Sequence, residues 1–270
     1  MNYQEYKPKG TLKDFIDCYF TCETETEILS EDKVFASGSI EIMFNLGATR
    51  KQFSLNGNLI TEPAIQLWGQ VLKPVGIKSL GKHSIFRIRF FSHTAICFFN
   101  EAIEQFNDAV FNLEDVIGNK VNEVHSKLLE AHTITQKIEI TEHFLIERLL
   151  FFHKKINKLN LVSNVISELV QEEYKTNMNT IAHRHGVSSR YLQKIFLQYA
   201  GVTPNLFRKI NRFLKSLYLM AKNSNSLTSI AHHCGYFDQS HFIKDFKEFT
   251  GTAPSDFHLE SSTELLALLK

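Results

Sequence analysis

Five polar residues near the C-terminus, Gln239, Ser240, His241, Lys244 and Lys247, have the types and spacing to read a nucleic acid. Among them Phe242, Phe246 and Phe249 recur at helical spacing. That sends Ser240, Lys244 and Lys247 to the far side of one helix, with His241 on its flank and Gln239 at its start. Lysine can donate to guanine, and glutamine can pair with adenine through two hydrogen bonds. Lys247, one turn past Lys244, suits phosphate instead. Upstream, Leu227, Ile230 and Ala231 form a second short apolar run. Gly235 lies between the runs, where a turn needs positive φ, and Asp238 is a good N-cap. Two helices joined by a tight glycine turn make a helix-turn-helix, whose second helix enters a DNA major groove. On these residues alone, an ordinary helical hairpin with a polar outer face stays open.

Other groups could do different chemistry. Met43, Phe44, Trp68, Arg87 and Arg89 could line a small-molecule pocket in which the arginines hold an anionic group. The competing reading makes Phe44 and Trp68 core and leaves the arginines solvated. The runs His183-Arg184-His185 and His232-His233-Cys234 invite a metal site, but their spacing matches no common zinc pattern. Each closes a short helix, where histidine suits the negative helix end, and no metal is expected. Cys18 and Cys22 are either a redox pair or inert thiols. The sequence has no glycine-rich phosphate loop, GxSxG turn or HExxH helix. Neither enzyme activity nor a cofactor is expected.

The C-terminal motif is repeated. Ile181, Ala182 and Gly186 recur as Ile230, Ala231 and Gly235. Past one inserted residue, Leu192, Lys194, Phe196, Gly201, Pro204 and Phe207 recur as Phe242, Lys244, Phe246, Gly251, Pro254 and Phe257. Repetition of a whole supersecondary unit is far harder to obtain by chance than one motif. The I-A-x-x-x-G unit, followed by G-Y-F-D-Q-S-H-F-x-K-x-F-K and G-x-x-P, resembles the DNA-binding domain of the AraC/XylS family of bacterial transcription regulators, over roughly Leu161 to Phe257. The resemblance implies two helix-turn-helix readers about one helical turn (~34 Å) apart on one face of the DNA. It carries Arg190, Gln193 and Lys194 over as base-reading positions of the first reader, and Gln239, Ser240, His241 and Lys244 for the second. It also implies double-stranded DNA and RNA polymerase as partners, a homodimer, and a small-molecule effector bound by a cupin-like domain ahead of the readers. A metal-binding cupin is not expected, because no HxH with a following Glu appears. Leu197 on the exposed flank of the first reader and Asn211 in the connecting helix depart from the family pattern.

The elements that must position these residues are legible in outline, as an α+β chain. Its length suits two domains. Residues 158 to 260 carry 12 Lys and Arg against 8 Asp and Glu, and residues 1 to 157 carry 17 against 20. A basic C-terminal part after an acidic N-terminal part fits nucleic-acid binding by one half only. The division expected is a cupin-like β-barrel at 1–110, a helical dimerisation or linker region at 111–158, a double helix-turn-helix at 159–260 and a tail at 261–270. Four cysteines without a CxxC pair, no signal pattern in MNYQEYKPKG and no apolar run long enough for a bilayer point to a cytoplasmic protein.

Within the first division, a short amphipathic helix is expected around Leu12 to Phe20, running into a strand. Period-two alternation marks Ser39 to Leu46 and Phe86 to Phe90 as strands, and Asn56-Gly57 as a hairpin turn. Ala95, Phe98, Phe99, Ala102, Ile103 and Phe106 predict one amphipathic helix. Thr133 with Gln136 is a capping box for another, whose stripe Ile138, Leu145, Leu149, Phe152 and Ile156 either docks on the barrel or pairs with a second copy. Val162, Val165, Ile166, Leu169 and Val170 predict the first helix of the DNA-binding part, and Pro204 opens a long helix joining the readers.

Overall fold

The computed structural model describes residues 2–24, 30–47, 51–53, 59–80, 83–151, 156–171, 176–222 and 226–258. Its N-terminal part is built from β1 (Asn2–Tyr6), β2 (Ile16–Thr24), β3 (Ser30–Val34), β4 (Ser39–Asn45), β5 (Lys51–Phe53), β6 (Leu59–Thr61), β7 (Ile65–Trp68), β8 (Val75–Leu80), β9 (His83–Phe91) and β10 (Val110–Asn112). All pairings are antiparallel, in a six-stranded sheet ordered β1-β2-β9-β4-β7-β10 and a four-stranded sheet ordered β3-β8-β5-β6. The two sheets share no strand among the described residues. β5 and β6 flank the expected Asn56-Gly57 turn with Phe53 opposite Leu59, and the turn itself lies outside the described residues.

Alternation along β4 predicts one buried and one wet face, yet every residue from Ile40 to Asn45 is buried. The reason is that both faces of the large sheet are covered. Ile40, Ile42, Phe44, Phe86, Ile88 and Phe90 join a core with helical residues such as Val121, Leu128, Phe144 and Leu145. On the opposite face, Met43, Trp68 and Ile85 meet Cys22, Val71 and Val34, the last from the four-stranded sheet.

Two expectations of helix fail here. Around Leu12 there is only a 3-10 turn, Gly10–Asp14, between β1 and β2. Residues 95 to 106 form two short 3-10 turns, Ala95–Cys97 and Ile103–Phe106, instead of one amphipathic helix. Ala95, Ile96, Cys97, Phe98, Phe99, Ile103 and Phe106 are all buried. A segment surrounded by core on every side has no solvent face to hold it to helical periodicity. Val170, placed inward by periodicity on a helix that does form, is 50% exposed.

The helices follow as α1 (Leu113–Ile117), α2 (Lys120–Glu130), α3 (Ile134–Phe151), α4 (Ile156–Gln171), α5 (Met178–Arg184), α6 (Ser189–Ala200), α7 (Pro204–Ala221), α8 (Leu227–His233) and α9 (Gln239–Thr250). The capping box closes α3 as expected: Gln136 N–H donates to Thr133 Oγ1 at 3.2 Å, and Thr133 N–H to Gln136 Oε1 at 3.1 Å. Leu145, offered as part of a dimer seam, is fully buried within this single chain. The outer side of α3 carries Ile146 and Leu150 instead. Residues 156 to 160 begin α4. Residues 261 to 270 lie outside the described residues.

The two parts are packed together. Gln70 Nε2 donates to the Ala200 carbonyl and Asn107 Nδ2 to the Gly201 carbonyl, both at 2.6 Å. The last carbonyls of a helix lack partners within it, so the sheet part supplies donors at the C-terminus of α6. Phe35, from the loop between β3 and β4, meets Phe257 edge-on at 5.5 Å between ring centres.

Candidate nucleic-acid interface

The repeat seen in the sequence extends to single hydrogen bonds. Asn177 caps α5, with its side chain accepting from Asn179 N–H, and Ser226 caps α8, accepting from Ser229 N–H. Gly186 and Gly235 follow with φ of 66° and 72°. After them, Val187 N–H donates to the Ala182 carbonyl and Tyr236 N–H to the Ala231 carbonyl, both at 3.0 Å. Ser188 then caps α6 and Asp238 caps α9. Each helix ends at a left-handed glycine, Gly201 or Gly251, whose N–H donates at 2.8 Å to Leu197 or Lys247. Sequences this alike in caps and glycines fold alike, because caps and turns are local.

The buried faces set the exposed ones. Leu192, Ile195, Phe196 and Tyr199 turn α6 inward, leaving Arg190, Gln193 and Lys194 exposed. Phe242, Asp245, Phe246 and Phe249 do the same for α9, leaving Ser240, His241, Lys244 and Lys247 exposed. Gln239 is half-buried, and its Oε1 accepts from Thr228 Oγ1 at 2.9 Å. The first reader has the matching pair, Ser189 donating to Asn179 Oδ1 at 2.6 Å. Sequence reasoning missed Asn179, Ser189 and Thr228, although the repeat offset aligns them with one another. It also missed Tyr191, 40% exposed at the position that His241 fills in the second copy.

α7 joins the two units. Thr203 caps it, Pro204 starts it, and 18 residues give a rod of about 27 Å. Phe213 meets Phe246 and Phe249 of α9 with centres 5.5 and 5.0 Å apart. Asp245, 2% exposed, points inward from α9 to Lys209 at 3.2 Å and Arg212 at 3.7 Å. Its spacing from Phe242 and Phe249 was the signal that placed it on the inner face. Asn211, out of pattern in mid-rod, donates to the Phe207 carbonyl at 2.8 Å. The first reader is tied to α4 through Glu168, which meets Arg184 at 2.5 Å and His185 at 2.7 Å. Partial burial opposes ionisation of Glu168, but hydrogen bonds from these two residues outweigh it and hold the carboxyl below its usual range.

A family described as Helix-turn-helix domain matches residues 181–259. The RhaS transcriptional activator of Escherichia coli O157:H7 (strain EC4115 / EHEC) is 29% identical over 100 residues, 37% of this chain and 35% of that one. RhaS of Pectobacterium carotovorum is 30% identical over 87 residues, 32% and 31% of the two chains. The paired readers are similar to the DNA-binding part of these activators. The match spans about a third of these relatives' length. Residues 4–112 match a second family, a domain of unknown function (DUF6597). ToxT from Vibrio cholerae shares the fold of this chain at a TM-score of 0.50 and 15% identity, over 91% of this chain and 99% of that one.

The expected pocket residues do not share one site. Successive strand residues point to opposite faces, so Phe44 faces the helices, where its ring stacks on His125 at 6.2 Å. Met43, Trp68, Arg87 and Arg89 share the other face. There the arginines, neither of them solvated, hold an internal anion: Arg89 Nε meets Glu41 Oε1 at 2.7 Å and Arg87 Nη1 meets Glu41 Oε2 at 3.1 Å. Burial pushes the Glu41 carboxyl up, but Arg89 and then Arg87 pull it below its ordinary value. Arg87 lies 5.4 Å from the Phe20 ring and 5.6 Å from Trp68. Glu41 was missed because only strand pairing brings it opposite Arg89. Cys18 and Cys22 are buried and outside any disulfide, and burial pushes Cys18 up to about 12.

Proposed function

We propose that the chain is a cytoplasmic, sequence-specific DNA-binding regulator of transcription. The observation that carries this is the duplicated reader, two capped helices with exposed polar faces joined by α7. Arg190, Gln193 and Lys194 read bases from α6, and Gln239, Ser240, His241 and Lys244 from α9, with Lys247 on phosphate. RhaS, to which the chain is similar, is a transcriptional activator, which supports the same activity. A homodimer and contact with RNA polymerase belong to this proposal. So does the division at residues 110, 158 and 260, supported by β10 ending at Asn112 and α4 beginning at Ile156. Selection of duplexes from a random pool tests it. Two short conserved segments one helical turn apart are expected, and recovery of no preferred sequence overturns the reading.

The sheet part is proposed as a sensor of a small organic molecule. A buried Arg87–Glu41–Arg89 triad is costly to keep for stability alone, and it stands beside the Phe20 and Trp68 rings. One observation favours the ligand-free alternative, in which this part serves dimerisation or protein contact. Met43, Trp68, Val71 and Ile85 already pack against one another there. A metabolite panel read by Trp68 fluorescence and melting temperature separates the two. No response from any compound overturns the sensor.

A further inference from the structure

The two readers differ by one residue, and the structure identifies which. Val187 and Tyr236 occupy the same place, each donating its N–H back to the alanine of the preceding helix. The next capping residues, Ser188 and Asp238, also occupy the same place. Between Val187 and Ser188 there is nothing; between Tyr236 and Asp238 stands Phe237. Its neighbour Tyr236 is buried against Phe242 and Arg212. Phe237 is 88% exposed, the most exposed of the large apolar side chains among the described residues. The extra residue therefore lengthens the turn without adding to the core.

We infer that Phe237 is an apolar contact of the second reader, seated on a thymine methyl group in the major groove. The inference rests on the DNA-binding reading above. Phe237 immediately precedes the cap of α9, next to Gln239 and Ser240, so a groove that receives the start of α9 also covers Phe237. The capping carboxylate of Asp238, which accepts from His241 N–H at 2.7 Å, stands beside it and disfavours close approach to phosphate. In the major groove, the apolar mark is the C5-methyl of thymine. The first reader has no equivalent side chain, so the preference belongs to one half of the site.

The test uses the full chain and a duplex selected by it from a random pool. Affinities of the wild type, Phe237→Ala and Phe237→Leu are measured at several salt concentrations. Each thymine of the duplex is then replaced singly by deoxyuridine, which lacks the methyl. Phe237→Ala is expected to bind about tenfold more weakly, and Phe237→Leu to keep most of the affinity. The salt slope should not change, since no charge is lost. At one thymine in the half bound by α9, uracil should cost the wild type about fourfold and the alanine variant nothing. A wild-type affinity in Phe237→Ala, or a loss that no uracil position reduces, overturns the inference. Intact DNA binding with impaired transcription also overturns it and assigns Phe237 to a protein partner. Failure of the wild type to select any sequence is the different outcome that removes the DNA-binding reading itself.

Discussion

Gly201 and Gly251 end the two reading helices with the same backbone geometry, φ of 74° and 78°, but in different surroundings. A Cβ added at Gly251 meets nothing within 4 Å. Gly251→Ala should therefore cost only the left-handed backbone penalty, about 1–2 kcal/mol. A Cβ at Gly201 comes 2.4 Å from Gln70 Nε2 and 2.8 Å from Ile103 Cγ2. Gln70 can swing aside, but its bond to the Ala200 carbonyl then breaks, at roughly 0.5–1.5 kcal/mol. Ile103 is fully buried and has no room to retreat, which adds about 1–3 kcal/mol of overpacking. Gly201→Ala should thus exceed Gly251→Ala by roughly 2–4 kcal/mol. Denaturant unfolding of both full-length variants measures the difference, and Gln70→Ala added to Gly201→Ala should recover part of the excess. Equal costs for the two glycines would refute the docking of α6 on the sheet part.

Three further outcomes are expected. Glu41→Gln leaves two buried arginines facing a neutral group, at a cost of about 3–5 kcal/mol. Because Glu41 titrates below its ordinary value of 4.5, its contribution is present above that pH and lost as pH falls through the folded value. Wild-type stability should therefore fall more steeply below about pH 4.5 than that of Glu41→Gln, and parallel acid limbs would contradict the triad. Leu145→Glu, at a fully buried site, should unfold the chain by circular dichroism; a folded monomer would return α3 to a dimer seam. Lys244→Ala should relax preference at one base position, at about 1–3 kcal/mol, while Lys247→Ala should weaken all duplexes alike and lower the salt slope by about one. Single-base variants at several salt concentrations decide between these roles, and exchanged behaviour would swap them.

The helical part was legible from sequence because its determinants are local. Ser188 and Asp238 cap helices that begin one residue later, Gly201 and Gly251 end them, and the spacing of Phe242, Phe246 and Phe249 names the inner face. The repeat doubled each signal. β4 and β9 were legible as strands, but not what covers them. Both faces of β4 are buried because a second sheet and the helices close over it, and no alternation within seven residues records that. The 95–106 segment misled for the same reason, since core on all sides erases the polar face that periodicity needs. Glu41 meets Arg89 only through the β4–β9 register. Gln70 and Asn107 reach α6 across 130 and 94 residues of chain. Such contacts depend on how finished elements pack, and only the tertiary structure decides them.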